Sequence, residues 1–196
     1  MSTVKEFARA FERSDLYAQL ARGFWRPQHS LQREYDRLFA HRSQILCPIY
    51  EAEYDRDRAL TPGATLADIA GFYRAFGLER ATHERPDHLA LELEFMRVLT
   101  YKEALALEAG RSEEAELCRD AQKKFLEAHL GRWVGIFAET LLQQTQSNFY
   151  RELAVKLRDF ITVECQALGA QPQRITAHEA EPEIQMDCPL AHRAFA

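Results

Sequence analysis

The sequence has no closely spaced cysteine pair, no surplus of basic residues and no long uncharged apolar run. Its four cysteines are scattered at Cys47, Cys118, Cys165 and Cys188, so we expect free thiols rather than a zinc site or a disulfide framework. A formal net charge of −5 argues against nucleic acid as the main partner, because phosphates require basic groups. Without a signal-peptide core or a run approaching ~20 apolar residues, we expect a cytoplasmic protein with no stable membrane insertion.

The motifs of common enzyme classes are also missing. The sequence contains no P-loop, no GxGxxG and no GxSxG. None of its seven histidines follows a glutamate by three residues, and no two histidines lie four apart, so helical di-iron ligands and the HExxH zinc motif are both absent. We therefore expect a protein that is not an enzyme and that binds neither a metal nor a cofactor.

Apolar residues recur at helical spacing through most of the 196 residues, which predicts an all-α, single-domain helical bundle. One amphipathic stripe consists of Phe7, Phe11, Leu16, Leu20 and Phe24. The predicted helices cover residues 7–24, 30–41, 65–77, 86–110, 112–129, 133–144 and 149–168. Residues 1–168 form the predicted domain, and residues 169–196 form a predicted extended tail.

Capping residues set two of the predicted helix starts. Thr65 and Asp68 resemble a capping box, and Pro86 suits a first helical position with Asp87 behind it at the positive end of the helix dipole. Gly131 is expected to break or kink the chain after the helix that reaches residue 129.

The segment from residue 84 to residue 103 combines many apolar residues with unusually many acidic ones. Its apolar positions form a wide arc, which predicts a nearly central helix. These positions are Leu89, Leu91, Leu93, Phe95, Met96 and Val98. Asp87, Glu92 and Glu94 lie on or beside the arc, and a buried carboxylate is costly unless it is paired. The acidic residues either face solvent and tie loops to the helix, or they bind a cationic partner.

A second pair of candidates is His129 and Trp133, which lie four residues apart and would share one face of a continuous helix. Their residue types fit either core packing, with Trp133 filling space, or contact with a ligand.

Four motifs occur in the order found in the TorD/DmsD/NarJ family of redox-enzyme maturation chaperones, which this chain resembles. Residues 86–96 read PDHLALELEFM, residues 72–78 read FYxxFGL, residues 125–137 read FLxxHLxxWxxxF, and Phe149-Tyr150 opens the last long helix. The segment CPxYExxY at residues 47–54 is similar to that of members that serve nitrate reductase and the dimethylsulfide, ethylbenzene and selenate oxidoreductases.

This resemblance implies a TorD-like helical fold and a chaperone role. The implied partner is the apo catalytic subunit of a molybdopterin oxidoreductase of the dimethylsulfoxide reductase superfamily. Such chaperones bind the N-terminal region of the client, often a twin-arginine signal peptide, assist cofactor insertion and delay export until the client is folded. A monomer or a domain-swapped dimer is expected, since the predicted loop at residues 41–64 is long enough for copies to exchange elements.

A twin-arginine signal places guanidinium groups beside an apolar stretch, so its receptor needs carboxylates beside an apolar groove. The residues expected to contact the client peptide are Glu84, Asp87, His88, Glu92, Glu94, His129 and Trp133. One departure from the family pattern is Ala128, because many relatives carry an acidic residue before the histidine. Two alternatives are a non-catalytic accessory subunit of the reductase complex and a helical cofactor-binding protein that uses His88 or His129.

Overall fold

Seven α-helices make up most of the chain in a computed structural model, which describes residues 2–25, 27, 29–40, 45–54, 62–78 and 84–176. The helices are α1 (Ser2–Trp25), α2 (Gln32–Tyr35), α3 (Pro62–Ala75), α4 (Leu89–Glu108), α5 (Ser112–Ala128), α6 (Leu130–Gln144) and α7 (Asn148–Leu168). Short 3₁₀ turns cover His29–Leu31 and Glu51–Glu53, and one π-helical turn covers Asp36–Ala40. No strand occurs among the described residues, so the all-α prediction is confirmed.

Helix α4 lies at the centre of the bundle, as its apolar arc predicts. It packs along α1 on one side and against α5 on the other, while α6 packs against α7. Leu89, Leu93 and Met96 are fully buried. The central position of α4 places the acidic residues at its N-terminal end beside the core instead of on an outer surface.

Arg13 of α1 connects four helices inside the bundle. Its guanidinium donates two parallel hydrogen bonds of 2.8 Å to the carboxylate of Glu164 on α7. It also donates to Glu103 on α4 at 3.1 Å and to Gln122 on α5. Because the glutamate side chains are almost completely buried and have paired, directed donors, this arrangement avoids the cost of isolated buried charge.

Two of the predicted helix starts are wrong. Helix α4 begins at Leu89, and its N-cap is His88, whose Nδ1 accepts a hydrogen bond from the Ala90 N–H at 3.1 Å. Pro86 lies in the preceding turn, which is fixed by backbone hydrogen bonds to residues 49–51. Helix α3 begins at Pro62, whose fixed φ suits a first helical position, so Thr65 is an interior residue and not a cap.

The junction between α5 and α6 lies at His129, two residues before the glycine that was expected to produce it. His129 has φ −133° and ψ −99°, outside the helical region. Gly131 instead serves close packing in the first turn of α6, since a Cβ there would lie 2.5 Å from the Leu126 carbonyl oxygen and 3.0 Å from Pro172 Cγ. The chain therefore changes direction between the two predicted site residues His129 and Trp133.

The start of the C-terminal tail packs on this junction. Gly169, with φ +63°, ends α7, and the Ile175 N–H then donates to the Arg132 carbonyl at 2.9 Å. Ala170 and Ile175 are buried. The rest of the predicted tail, Cys188 and the predicted loop at residues 41–44 and 55–61 lie outside the described residues, and the division into domain and tail stays a prediction.

Candidate functional site

The turn before α4 is joined to the segment at residues 47–54 by backbone hydrogen bonds. The Glu51 N–H donates to the Asp87 carbonyl and the Leu89 N–H to the Ile49 carbonyl, each at 3.0 Å. Tyr50 and His88 thereby form an isolated antiparallel bridge. This pairing places the CPxYExxY motif directly beside the PDH motif, although nearly forty residues separate them in the sequence.

Asp87 is completely buried, and its carboxylate is paired within the chain. Arg85 donates to it from Nε at 3.0 Å and from Nη2 at 2.7 Å, and the Ala52 N–H donates at 3.2 Å. The same guanidinium reaches Glu53 at 3.2 Å and lies 4.4 Å from the centre of the Tyr50 ring. Asp87 therefore does not present a free carboxylate on the surface.

Aromatic rings continue from this ion pair toward α1. The ring of Tyr50 lies 5.3 Å from that of His88, which lies 5.3 Å from that of Trp25, and both contacts are edge-to-face. The Tyr50 hydroxyl donates to Glu84 at 3.1 Å. Burial lowers the pKa of His88, so this ring is neutral at neutral pH.

A groove of about 490 Å³ begins at Trp25 and runs between α1 and α4. It is lined mainly by apolar groups, with one charged side chain on each wall. The lining residues are Ala21, Arg22, Trp25, Ala90, Leu91 and Glu94. Glu94 accepts a 2.6 Å hydrogen bond from Arg97 but is about two-fifths exposed, so its carboxylate is accessible from the groove.

Exposed apolar side chains extend the groove along the same two helices. Val4, Phe11 and Trp25 recur at heptad spacing on α1, as Leu91 and Leu105 do on α4. The half-exposed Phe11 ring on α1 lies 6.4 Å from the Tyr101 ring on α4. Between Leu91 and Leu105 the helical rise gives a strip of about 21 Å.

A buried polar cluster lies behind the turn, on the side of α5 and α6. His129 Nδ1 lies 3.0 Å from Glu51 Oε2, and its Nε2 lies 3.2 Å from Asp68 Oδ2. Trp133 donates to Glu92 Oε2 at 3.2 Å and stacks on Tyr54. Burial first, and then the nearby charge of Glu51, hold the pKa of Glu92 well above its usual value.

The seven residues expected at the site therefore fall into two neighbouring groups. Glu84, Asp87, His88 and Glu94 surround the turn and the groove, whereas Glu92, His129 and Trp133 lie in the buried cluster. The two groups meet at Tyr50 and Glu51, adjacent residues of one segment. Asp87, Glu92, His129 and Trp133 are fully buried, so only Glu84 and Glu94 offer partly exposed carboxylates. Contact with a client stays a prediction for all seven.

Sequence reasoning missed Arg85 and Trp25 as parts of the site. The sequence predicts only that a helix ends at Trp25, and no neighbouring residue indicates that Trp25 lies beside His88. Arg85 lies two residues before Asp87, and this spacing is compatible with an ion pair but does not require one.

Among the described residues no cluster of three or more histidine, cysteine, aspartate or glutamate side chains could coordinate a metal. No described helix is long and apolar enough to cross a membrane.

Comparison with known proteins gives a consistent set of matches. The family model described as nitrate reductase delta subunit matches residues 5–139. The chlorate reductase assembly chaperone protein of Ideonella dechloratans is 33% identical over 111 residues, which are 56% of this chain and 55% of that protein. The selenate reductase assembly chaperone protein of Thauera selenatis is 30% identical over 129 residues, which are 65% of this chain and 64% of that protein.

A third relative has a similar extent of match. The dimethyl sulfide dehydrogenase assembly chaperone protein of Rhodovulum sulfidophilum is 36% identical over 135 residues, which are 65% of this chain and 53% of that protein. The chain thus spans between about half and just under two thirds of the length of these three relatives.

Proposed function

The chain belongs to the nitrate reductase delta subunit family, and from this membership we propose that it is a chaperone for the assembly of a molybdopterin oxidoreductase. Its client would be the apo catalytic subunit, bound in the cytoplasm through the N-terminal region and its twin-arginine signal. Binding would assist cofactor insertion and delay export until the subunit is folded. In this role the chain performs no catalysis.

The observation that carries the proposal is the apolar groove between α1 and α4 with partly exposed carboxylates beside it. Trp25, Leu91 and the strip that continues to Phe11 and Tyr101 offer an apolar surface to a helical segment. Glu94 lies in the groove, and Glu84 lies beside the turn where the aromatic row begins. Arginines that precede an apolar stretch match this order of charged and apolar groups.

Since the client must be released once it has folded, moderate affinity suits the proposed role.

Co-expression with a molybdopterin oxidoreductase catalytic subunit from the same genome tests the proposal. The subunit would be produced once in cells that cannot make the cofactor and once in cells that can. We expect the chain to co-purify with the cofactor-free subunit and not with the mature enzyme. Equal co-purification with both forms would instead indicate an accessory subunit, and a metal or chromophore purified with the chain alone would indicate a cofactor-binding protein.

A further inference from the structure

We propose that Tyr50, Glu53 and Asp87 form an arginine-binding site that Arg85 occupies in the free chain and that an arginine of a bound peptide takes over. This inference rests on the proposed function, because it assigns one position in the complex to a guanidinium group of the client.

The site binds a guanidinium on its edges and on its face. Asp87 accepts two hydrogen bonds from Arg85, at 3.0 and 2.7 Å, and Glu53 accepts a third at 3.2 Å. The Tyr50 ring lies under the guanidinium carbon at 4.4 Å. Two parallel bonds to one carboxylate and an aromatic platform are the arrangement that distinguishes arginine from lysine.

The present occupant can leave without any change in the backbone. Arg85 is about two-fifths exposed, and it lies only two residues from Asp87, so rotation about its side-chain bonds is enough to free the carboxylate. Asp87 itself stays in place, because the Ala52 N–H donates to its side chain and the Glu51 N–H to its carbonyl. A buried carboxylate left without a cation is costly, so an incoming guanidinium is stabilised there.

The site is continuous with the groove that we propose for the apolar part of the client. Tyr50, His88 and Trp25 form a row with two ring-to-ring distances of 5.3 Å, and Trp25 lines the groove. Since His88 is neutral, it adds no positive charge between the two places. A peptide whose arginine replaces Arg85 would therefore have its following residues beside the mouth of the groove.

Competition by Arg85 lowers the affinity for the client and so favours release. If Arg85 occupies the site in about nine-tenths of the molecules, the apparent Kd is about tenfold higher than that of the open site.

The test compares wild type, Arg85→Ala and a matched control, Arg111→Ala. Arg111 also forms an ion pair with a carboxylate, but it follows the opposite end of α4. The probes are a synthetic peptide with two adjacent arginines followed by leucine and alanine residues, and the same peptide with citrulline at both arginine positions. Kd is measured by fluorescence anisotropy.

We expect R85A to bind the arginine peptide about tenfold more tightly than wild type and R111A do. We expect R85A to bind the citrulline peptide no better than wild type and R111A do. An R85A Kd equal to or weaker than that of wild type overturns the site.

Loss of Arg85 also leaves the buried Asp87 carboxylate without a cation, so R85A is expected to unfold at a lower temperature. Added methylguanidinium should raise the Tm of R85A more than that of R111A, and an equal effect on both variants contradicts the proposal.

Arg85→Lys keeps a cation but loses the paired hydrogen bonds to Asp87. The R85K variant should therefore prefer the arginine peptide over the citrulline peptide to a smaller degree than R85A does. Equal Kd values for the two peptides in R85K also contradict the proposal.

The outcomes separate this site from the proposed function. If R85A binds the arginine peptide more tightly than wild type and R111A do while no variant co-purifies with a cofactor-free subunit, the site stands and the chaperone role is lost. If the cofactor-free subunit binds but R85A binds the arginine peptide no better than wild type does, the role stands and the site is overturned.

Discussion

His129 and Glu51 form a fully buried pair, with Nδ1 and Oε2 separated by 3.0 Å. Asp68 approaches the other ring nitrogen at 3.2 Å, so carboxylate oxygens face both nitrogens of the imidazole. The pair connects the segment at residues 47–54 to the junction of α5 and α6, and it therefore fixes the position of the motif that borders the groove.

Replacement of His129 by alanine is expected to destabilise the fold by about 3 kcal/mol, because it removes a buried hydrogen-bond partner of the buried Glu51 carboxylate. Urea unfolding followed by circular dichroism measures this loss. Asp68 is 59% exposed, so Asp68→Asn should cost less than ~1 kcal/mol. Similar losses for the two variants would show that the buried pair does not govern stability here.

Glu92 predicts a change of stability with pH. Its pKa lies well above the usual 4.5 because of burial and the neighbouring Glu51. A raised pKa in the folded state gives stability that is complete below the unfolded pKa and is lost as the pH rises through the folded pKa. Glu92→Gln, which stays neutral and still accepts from Trp133, should therefore match the stability of wild type at about pH 4 and exceed it at about pH 8. Glu116→Gln, an exposed change on α5, is the control and should show no such divergence.

Glu34 predicts the opposite dependence. Hydrogen bonds from Arg37 first, and then from the Gln146 N–H and the Thr145 hydroxyl, lower its pKa from 4.5 to about 2. Its contribution is present above pH 4.5 and is lost as the pH falls toward 2. Glu34→Gln should cost about 1–3 kcal/mol at neutral pH, and the difference from wild type should disappear as the pH falls through about 2. Denaturant titrations at several pH values measure it, and a constant difference would contradict the assignment.

Glu94 is expected to bind a cationic group of the client directly. Glu94→Gln should weaken binding of the twin-arginine peptide by about 1–3 kcal/mol without changing the Tm. Glu114→Gln is a matched control, because Glu114 likewise pairs with an arginine three residues away on a helix surface but lies at the far end of the bundle. Calorimetry would exclude the role of Glu94 if both variants bind the peptide as wild type does.

Leu91 provides a test of the apolar groove. Leu91→Ser should weaken peptide binding by about 1–2 kcal/mol, since it removes apolar surface that the bound segment would cover. Leu117 is a more exposed leucine on α5, outside the groove, and Leu117→Ser should leave the Kd unchanged. A smaller effect at Leu91 than at Leu117 would place the client elsewhere.

The sequence predicts the helices well because burial of one face imposes a 3.6-residue period, and the buried residues of α5, α6 and α7 follow that period. It predicts helix ends less well where contacts from distant residues decide them. The start of α4 is one example: Pro86 suits a first helical position, but the turn that contains it is paired with residues 49–51, and His88 becomes the cap. No local pattern contains that information.

The same limit applies to the site. The acidic composition at the start of α4 singles out Asp87, Glu92 and Glu94, yet their environments differ completely. Asp87 is paired with Arg85, Glu92 lies under Trp133, and only Glu94 lies in the groove. Helical spacing joins His129 to Trp133, but the change of direction at His129 aims the two side chains at different carboxylates. Which carboxylate reaches solvent depends on packing between elements, and residue spacing does not determine it.

The ion network around Arg13 restricts where the molecule can open. Separating α1 from α4, α5 or α7 breaks a hydrogen bond of the Arg13 guanidinium inside the bundle. Amide protons in the interior of these four helices should therefore exchange with solvent together and slowly, and those of the helix ends and turns should exchange earlier. Local unfolding at the edges would then leave the four-helix frame intact.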